Sequence, residues 1–378
     1  MFDLQNFTFF HAQQFQSFDQ LDRVYNTIVA KVSYDFCIDN HDDRAELQFS
    51  ETQTLLHSQD IYEGDPMRSS ILAECDFVIY KPKVDIIINA TAYSPNEKKI
   101  EEIPACIRIG DYEKSLVATG ERHWIKEVIG WTLGKPKSIY SLPIRYEYAF
   151  GGIHAGGKKE CGYLQENLVG KGSYSNEFLK RNSYKKLLEA HQIYDPIKPI
   201  LEPNEINIPE GFGFFARYFA SRVQYSGTTD TEWMENRAPL LPKDFSMSFW
   251  NGAHPELQIP YLKHNHVYKL TFIGLIPSYI APKQRFSILL PIETLFVHVL
   301  TVSNFSIALD LKLDTILVDV EKRKIDCSYR IALPEELEIE QCQLRYISRN
   351  ERQLQIELAK EYERVRKTDF IIIPPSLR

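Results

Sequence analysis

The chain has 378 residues, 44% of them apolar, enough for one large domain or two to three smaller ones, which excludes a disordered tail or a disulfide-held miniprotein. Its 44 lysines and arginines face 51 aspartates and glutamates, a formal charge of −7, so no global pull toward nucleic-acid phosphates or anionic lipid operates. Neither a nucleic acid nor a membrane is expected as partner.

The N-terminus, MFDLQNFTFFHAQQ, carries Asp3 where a signal peptide needs basic residues, and it lacks a continuous apolar stretch. No window approaches the roughly 20 apolar residues of a spanning helix; the best, Leu295 to Val302, is strand-sized. The expectation is a soluble intracellular protein. Cys37, Cys75, Cys106, Cys161, Cys327 and Cys342 form no CxxC pair, which fits reduced thiols and no zinc site.

Dense Phe and Tyr, with Val, Ile and Thr in short runs broken by Pro and Gly, predict a mainly β fold: a β-sandwich-like arrangement of antiparallel sheets with long irregular loops and a few helices. In YNTIVAKVSYDF, Ile28, Ala30, Val32, Tyr34 and Phe36 share one face and Thr27, Lys31, Ser33 and Asp35 the other, the period of a half-buried strand. FVIYKPKVDIIINATAY predicts a strand at Ile86 to Ile88 covered on both faces, central in the sheet, after a Lys81-Pro82-Lys83 turn. PIRYEYAF predicts a strand with Ile144, Tyr146, Tyr148 and Phe150 on one face, Arg145 and Glu147 on the other, ended by Gly151-Gly152.

Glu177 to Tyr194 has helical leucine spacing interrupted at Asn182-Ser183, so it predicts one helix or two short pieces. Prolines at 196, 199, 203 and 209 exclude regular structure between Tyr194 and Gly213, and a second irregular stretch runs from Ala238 to Pro260. LDTILVDVEKRKIDCSYRIAL predicts a hairpin with a solvated tip at Glu321 to Lys324. A capping box, Ser348 to Glu351, opens a C-terminal amphipathic helix whose Leu354, Leu358, Tyr362 and Val365 should dock by one face. The domain plan is a β-rich unit over 1–345, with 195–210 as the place where two packed sub-domains would divide, followed by the helix and an apolar tail over 346–378.

Motifs with chemical meaning are weak. Gly152 to Lys159 has phosphate-loop spacing, but Lys159 replaces the Ser or Thr that binds magnesium. Gly211-Phe-Gly213-Phe-Phe-Ala216 follows Pro209-Glu210 and not a hydrophobic strand, so it reads as an aromatic loop. His264 and His266 lack a third ligand for a metal, and Ser183 to Lys186 matches SxxK only by chance. No cofactor is expected. Arg145 and Glu147 read as a semi-buried ion pair, as a general acid or base with its charge partner, or as an anion clamp. Trp233 and Trp250 bracket TEWMENRAPLLPKDFSMSFWNGAHP, and with Arg237 have the composition of a protein-binding hot spot, or equally of pins holding a loop onto a sheet. The tail Phe370 to Ile373 is by default a last strand.

The ordered series LQNFTFFHAQQFQSFD, DFVIYKPKVDIIINATAY, IRYEYAFGG, NLVGKG, LEPNE, PEGFGFFA, RAPLLPKDFSMSFWNGAHPELQ and LDTILVDVEKRKIDCSYR, spanning roughly 1–333, resembles the bacterial family called domain of unknown function 2169. It departs from that pattern at Asn89 to Tyr93, where a Gly-His pair is more usual, so Thr91 cannot fill a histidine's role, and at Tyr329, where a Trp often stands. The resemblance implies an adaptor or chaperone in the bacterial cytoplasm that loads a type VI secretion effector onto the VgrG spike, often with a PAAR tip protein. It implies no catalytic role. Arg145, Glu147, Phe150, Trp233, Arg237 and Trp250 are the candidate protein-binding residues, and partner specificity is expected in the C-terminal extension. The alternative is a hydrolase or carbohydrate-active enzyme using Arg145 and Glu147 with Asp85 or Asp230.

Overall fold

The alternation between Tyr25 and Phe36 produces the longest strand of the protein, Val24–Ile38, around which the rest is organised. The computed structural model describes residues 2–38, 43–155, 161–264 and 266–369. Val24–Ile38 pairs with His11–Phe18 along its first half, with Arg44–Phe49 along its second, and with Lys324–Pro334 throughout.

From there a twelve-stranded sheet extends both ways. On one side run Arg44–Phe49, Arg285–Pro291, Val267–Ile273, Glu102–Ile109, Tyr112–Thr119 and Ile193–Tyr194; on the other run Lys324–Pro334, Lys312–Asp319, Val84–Asn89 and Gln258–Ile259. The hairpin expected around Glu321 forms as Lys312–Asp319 against Lys324–Pro334. The expectation of antiparallel sheets is corrected at two places in this sheet, because Val84–Asn89 lies parallel to Lys312–Asp319 and Arg44–Phe49 parallel to Arg285–Pro291, and elsewhere Leu4–Asn6 lies parallel to Ile339–Ile347 and Phe150–Gly151 to Lys171–Gly172. Val84–Asn89 is buried on both faces, yet it is next to last in the order and not central, since the two-residue strand Gln258–Ile259 closes that edge.

A four-stranded sheet, Leu4–Asn6, Ile339–Ile347, Thr294–Thr301 and Ser306–Asp310, covers part of the large one. Leu295, Val297, Val299 and Leu344 share a single hydrophobic cluster with Ile28, Ala30, Val32, Tyr34 and Phe36. The large sheet also coils on itself: Ile86 and Ile88 from one end of its strand order face Ile107 and Phe272 from the other across a void of about 10 Å³. Right-handed twist accumulated over many strands produces this curl.

The opposite face of Val24–Ile38 was expected to meet solvent, but Thr27, Lys31 and Ser33 are buried as well. Residues 50–83 fold over them, Gln53 accepting from the Ser33 amide at 2.8 Å and Lys31 pairing with Asp76. Regular alternation reports side-chain polarity, and a polar face is buried when the chain supplies it with partners.

Residues 121–155 and 161–206 build a lobe around a second cluster of Trp124, Phe150, Leu164, Phe178, Leu188, Ala190 and Ile200. It contains a three-stranded sheet, Trp131–Leu133, His123–Lys126 and Leu187–Glu189. Within Glu177 to Tyr194 helix persists only as Asn176–Arg181; the remainder supplies Leu187–Glu189 and Ile193–Tyr194 to two sheets. The C-terminal helix spans Arg349–Asp369, and its capping box is made, Ser348 N donating to Glu351 Oε2 at 2.9 Å and Glu351 N to Ser348 Oγ at 3.3 Å. Its expected docking does not occur at Leu354 and Leu358, which are 55% and 60% exposed. The apolar tail, Phe370 to Ile373, lies outside the described residues.

Candidate functional site

Arg145 and Glu147 do not sit on a strand. Residues 146–148 form a turn closed by Tyr148 N to Arg145 O at 3.1 Å, so the two side chains take separate partners from the 63–70 loop. Arg145 Nε donates to Glu63 Oε2 at 2.6 Å. Glu147 accepts from the Ser70 amide at 2.7 Å and from the Ser70 hydroxyl. Between them Tyr146 is buried, its hydroxyl donating to Gly213 O at 3.1 Å and its ring pressed on Gly211, where a Cβ would meet Cε1 at 2.7 Å. Gly211 therefore serves close approach to an aromatic ring. Phe150 is buried against Trp124 in the core of the lobe, edge-on to His191 at 5.4 Å.

The two carboxylates expected to complement Glu147 are also engaged. Asp230 caps the helix Thr231–Asn236, accepting from Trp233 N at 2.9 Å. Asp85 is fully buried and accepts from Lys81 Nζ at 2.8 Å, Asn251 Nδ2 at 3.0 Å, Gly252 N at 3.0 Å and Ala253 N at 3.2 Å.

Asp85 belongs to a buried ionic layer between the large sheet and the loops above it: Lys31, Lys81, Arg222 and Arg330 against Glu74, Asp76, Asp85 and Asp314. Four cations meet four anions, as burial of charge demands. Burial pushes the Glu74 carboxyl up, but Arg222, Lys81 and Arg217 together more than offset it and leave its pKa lowered. For Asp314 burial wins over Arg330 and Lys81, and its pKa is raised. A second cluster joins Lys114 to Glu210 and Glu256, with His254 beside them; burial and the Lys114 charge push the His254 imidazole down to about 3.

The aromatic and arginine residues of the 233–250 stretch are pins. Trp233 Nε1 donates to Leu240 O at 2.9 Å. Arg237 forks onto Asp22 at 2.8 and 3.1 Å, and donates to Gln20 O at 2.8 Å and to Leu241 O. Trp250 packs on Phe245 and Phe249, with the Arg217 guanidinium 5.5 Å over its ring. All three are partly buried: Trp233 ties the helix Thr231–Asn236 to Leu240, Arg237 ties the stretch to the 20–22 turn, and Trp250 packs in a small cluster with Tyr25 and Ala332 of the large sheet.

Two clefts among the described residues carry histidines. One of about 510 Å³ is lined by His154, Tyr163, Tyr174, Ser175, Glu177 and Asn204 among others. His154 Nε2 lies 3.1 Å from Ser175 Oγ, a pairing that no sequence signal marks across 21 residues. The same Nε2 accepts from Ser175 N at 3.1 Å, and Ser175 Oγ accepts from Phe178 N at 3.2 Å, so this serine is a helix cap and not an activated nucleophile. The other, about 290 Å³, has His57, Asp319, Lys322, Lys324 and Asp326 on its walls. Burial and then the Lys31 charge lower the His57 pKa. His264 contacts Glu293 O at 3.2 Å and His266 the ring of Tyr268; among the described residues no group of three or more His, Cys, Asp or Glu could hold a metal. The phosphate-loop-like stretch runs through residues 156–160, outside the described ones.

The surface signal lies at the hairpin end of the lobe's three-stranded sheet, in residues that sequence reasoning did not name as binding candidates. Val128 and Ile129, at the tip between His123–Lys126 and Trp131–Leu133, are 101% and 91% exposed. Ile125 and Leu187, a cross-strand pair on the outer face of that sheet, are exposed too. An aliphatic pair directly before a glycine between two short strands was the available clue.

The profile of a family described as "Uncharacterized protein conserved in bacteria (DUF2169)" matches residues 22–330. The chain belongs to this family. The DUF2169 match takes in the ionic layer, the Arg145 to Phe150 turn, the lobe and the 233–250 pins, and it stops before the C-terminal helix. No curated protein and no solved structure matches the chain. Among the described residues no helix is long and apolar enough to cross a membrane.

Proposed function

We propose that this DUF2169 protein is a type VI secretion adaptor or chaperone of the bacterial cytoplasm that binds a cognate effector and helps load it onto the VgrG spike, with or without a PAAR tip protein. It acts by binding and not by catalysis. The observation that supports this reading best is the outward apolar surface of the lobe, made of Ile125, Val128, Ile129 and Leu187. Exposed apolar side chains gathered on one short three-stranded sheet mark a place that another surface can cover. Leu354 and Leu358 on the helix beyond the family match offer a second such surface.

The residues first considered as binding anchors have another role in this reading. Trp233, Arg237 and Trp250 hold the loops, and Arg145 and Glu147 hold the turn at 146–148 to the 63–70 loop, so they shape the scaffold from which the partner surfaces project.

The test is a tagged pull-down from the native cell, with mass spectrometry of retained proteins and a parallel search of the culture medium for the tagged chain. Recovery of one effector together with VgrG from the cytosol is the expected result. Recovery of the chain alone sinks the adaptor reading, and its abundant appearance in the medium would make it a part of the exported particle instead.

A further inference from the structure

The lobe's sheet is two-sided. Its inner face, with Trp124 and Leu188, belongs to the second hydrophobic cluster, and Trp124 Nε1 is tied to Gly172 O at 2.8 Å. Because side chains alternate along a strand, Ile125 and its cross-strand partner Leu187 must point the other way, and both are exposed. At the tip, residues 127–130 close with Glu127 N donating to Gly130 O at 3.2 Å, Gly130 taking the positive φ of 79° that the turn needs. Val128 and Ile129 are left projecting.

The backbone holds this surface without help from those side chains. Lys126 N donates to Lys186 O at 2.9 Å, and Lys126 Nζ donates to Ser183 O at 2.7 Å, so the 183–187 segment is fixed beside the tip. The charge around it is opposite to that of the whole protein: leaving out the buried Arg122, segments 121–137 and 171–189 together carry eight lysines and arginines against four glutamates, in a chain of net charge −7. Lys180 and Lys186 are exposed.

We infer that the outer face and tip of this lobe form a docking surface for a partner protein that presents an apolar groove with an acidic rim. The four aliphatic side chains supply the buried centre and the lysines a complementary collar that steers encounter. A protein groove fits better than a lipid surface. Two of the four aliphatics lie on a sheet face behind the tip, and Trp131, next to the tip in sequence, packs inward on the second cluster, which leaves Tyr184 as the exposed ring of the adjoining segment, whereas membrane insertion gathers several aromatic rings at the interface. The inference deepens the adaptor reading and rests on it for the existence of a protein partner.

The experiment uses the full chain and the partner protein that it retains stoichiometrically in the pull-down, purified, with binding measured by calorimetry across a salt series. The variants are V128S/I129S, K180E/K186E and, as a control at an exposed aliphatic elsewhere, I197S, each checked by circular dichroism for unchanged folding. V128S/I129S should weaken binding about tenfold or more. K180E/K186E should weaken it and flatten its salt dependence, and I197S should leave it unchanged. Unchanged affinity of V128S/I129S for a partner that the wild type binds overturns the inference and leaves the adaptor reading standing. Failure of the wild type to retain any protein removes both. Binding of the wild type, but not V128S/I129S, to phosphatidylglycerol-containing vesicles overturns the inference in favour of a membrane.

Discussion

Replacement of Asp85 by alanine should destabilise the protein by about 3 to 5 kcal/mol, the usual cost of removing one member of a buried ion pair. The number follows from what the carboxylate satisfies. It takes four hydrogen bonds, from Lys81 Nζ, Asn251 Nδ2, Gly252 N and Ala253 N, at 2.8 to 3.2 Å and with no solvent contact. In its absence Lys81 keeps only Glu74, at 3.7 Å, and three neutral donors are stranded. Asp85→Asn keeps the volume and one acceptor oxygen, so it should cost less, about 2 to 3 kcal/mol. A cycle with Lys81→Met should give a coupling of about 1 to 3 kcal/mol. Equilibrium urea unfolding with comparable m-values provides the assay. A loss below about 1 kcal/mol for Asp85→Ala, or zero coupling with Lys81, would refute the claim that this ionic layer is a structural element and reopen Asp85 as a functional carboxylate.

Other consequences are separable. Arg237→Ala removes the fork onto Asp22 and the bonds to Gln20 and Leu241, and should cost about 1 to 3 kcal/mol while making the 226–246 stretch the first site of limited proteolysis; cleavage elsewhere first would contradict the pin. Glu147→Gln should lower stability by about 1 to 2 kcal/mol, because Ser70 N and Oγ lose a charged acceptor, and on the adaptor proposal it should leave effector delivery intact; loss of delivery at full stability would favour chemistry at this position. Truncation after Ser348 should leave the urea midpoint of the β-rich core unchanged, since Leu354 and Leu358 are exposed, and a lowered midpoint would show that the helix docks. Acid should destabilise the fold from about pH 6.5 downward. The folded-state pKa of His191 is pushed well below 6.5 by burial and then Arg122, and that of His254 to about 3, so the unfolded chain takes up protons first: the stability is present above 6.5 and is lost as pH falls toward 3. An unfolding midpoint equal at pH 7.5 and pH 5 would refute this.

How far the fold could be read in advance depended on which physical signal each element left. The 24–38 strand, the 312–334 hairpin and the capping box at Ser348 are local patterns, and all three form. The strand expected through Arg145 failed because alternation in RYEY is satisfied equally by a turn whose side chains find distant partners, Ser70 and Glu63, that no local pattern announces. The helix expected after Glu177 stopped at Arg181 because Leu187 and Leu188, spaced like a helix, are used on opposite faces of a strand. The ionic layer was illegible for a related reason: Lys31, Asp76, Lys81, Arg222 and Arg330 come from separate parts of the chain, and each alone reads as a surface charge.

The same contrast explains why the candidate anchors and the exposed apolar residues fall in different places. A stretch such as 226–250, with one short α-helix at Thr231–Asn236 and no strand ladder, is held to the rest of the fold by side chains that supply the missing partners. Trp233, Arg237 and Trp250 are the residue types best suited to that task, with large contact area and, in the arginine, a fork of donors. Composition that resembles a hot spot is thereby consumed inside the molecule. A short hairpin is held by its own ladder, as Trp124↔Leu133 and Lys126↔Trp131 hold the lobe, so the side chains on its outer face owe nothing to folding. Ile125, Val128, Ile129 and Leu187 stay exposed on a backbone that is already rigid, the arrangement in which apolar side chains bind a partner at least entropic cost. In this fold the binding residues are therefore expected on hairpins, and the tryptophans and arginines of the loops in the scaffold that carries them.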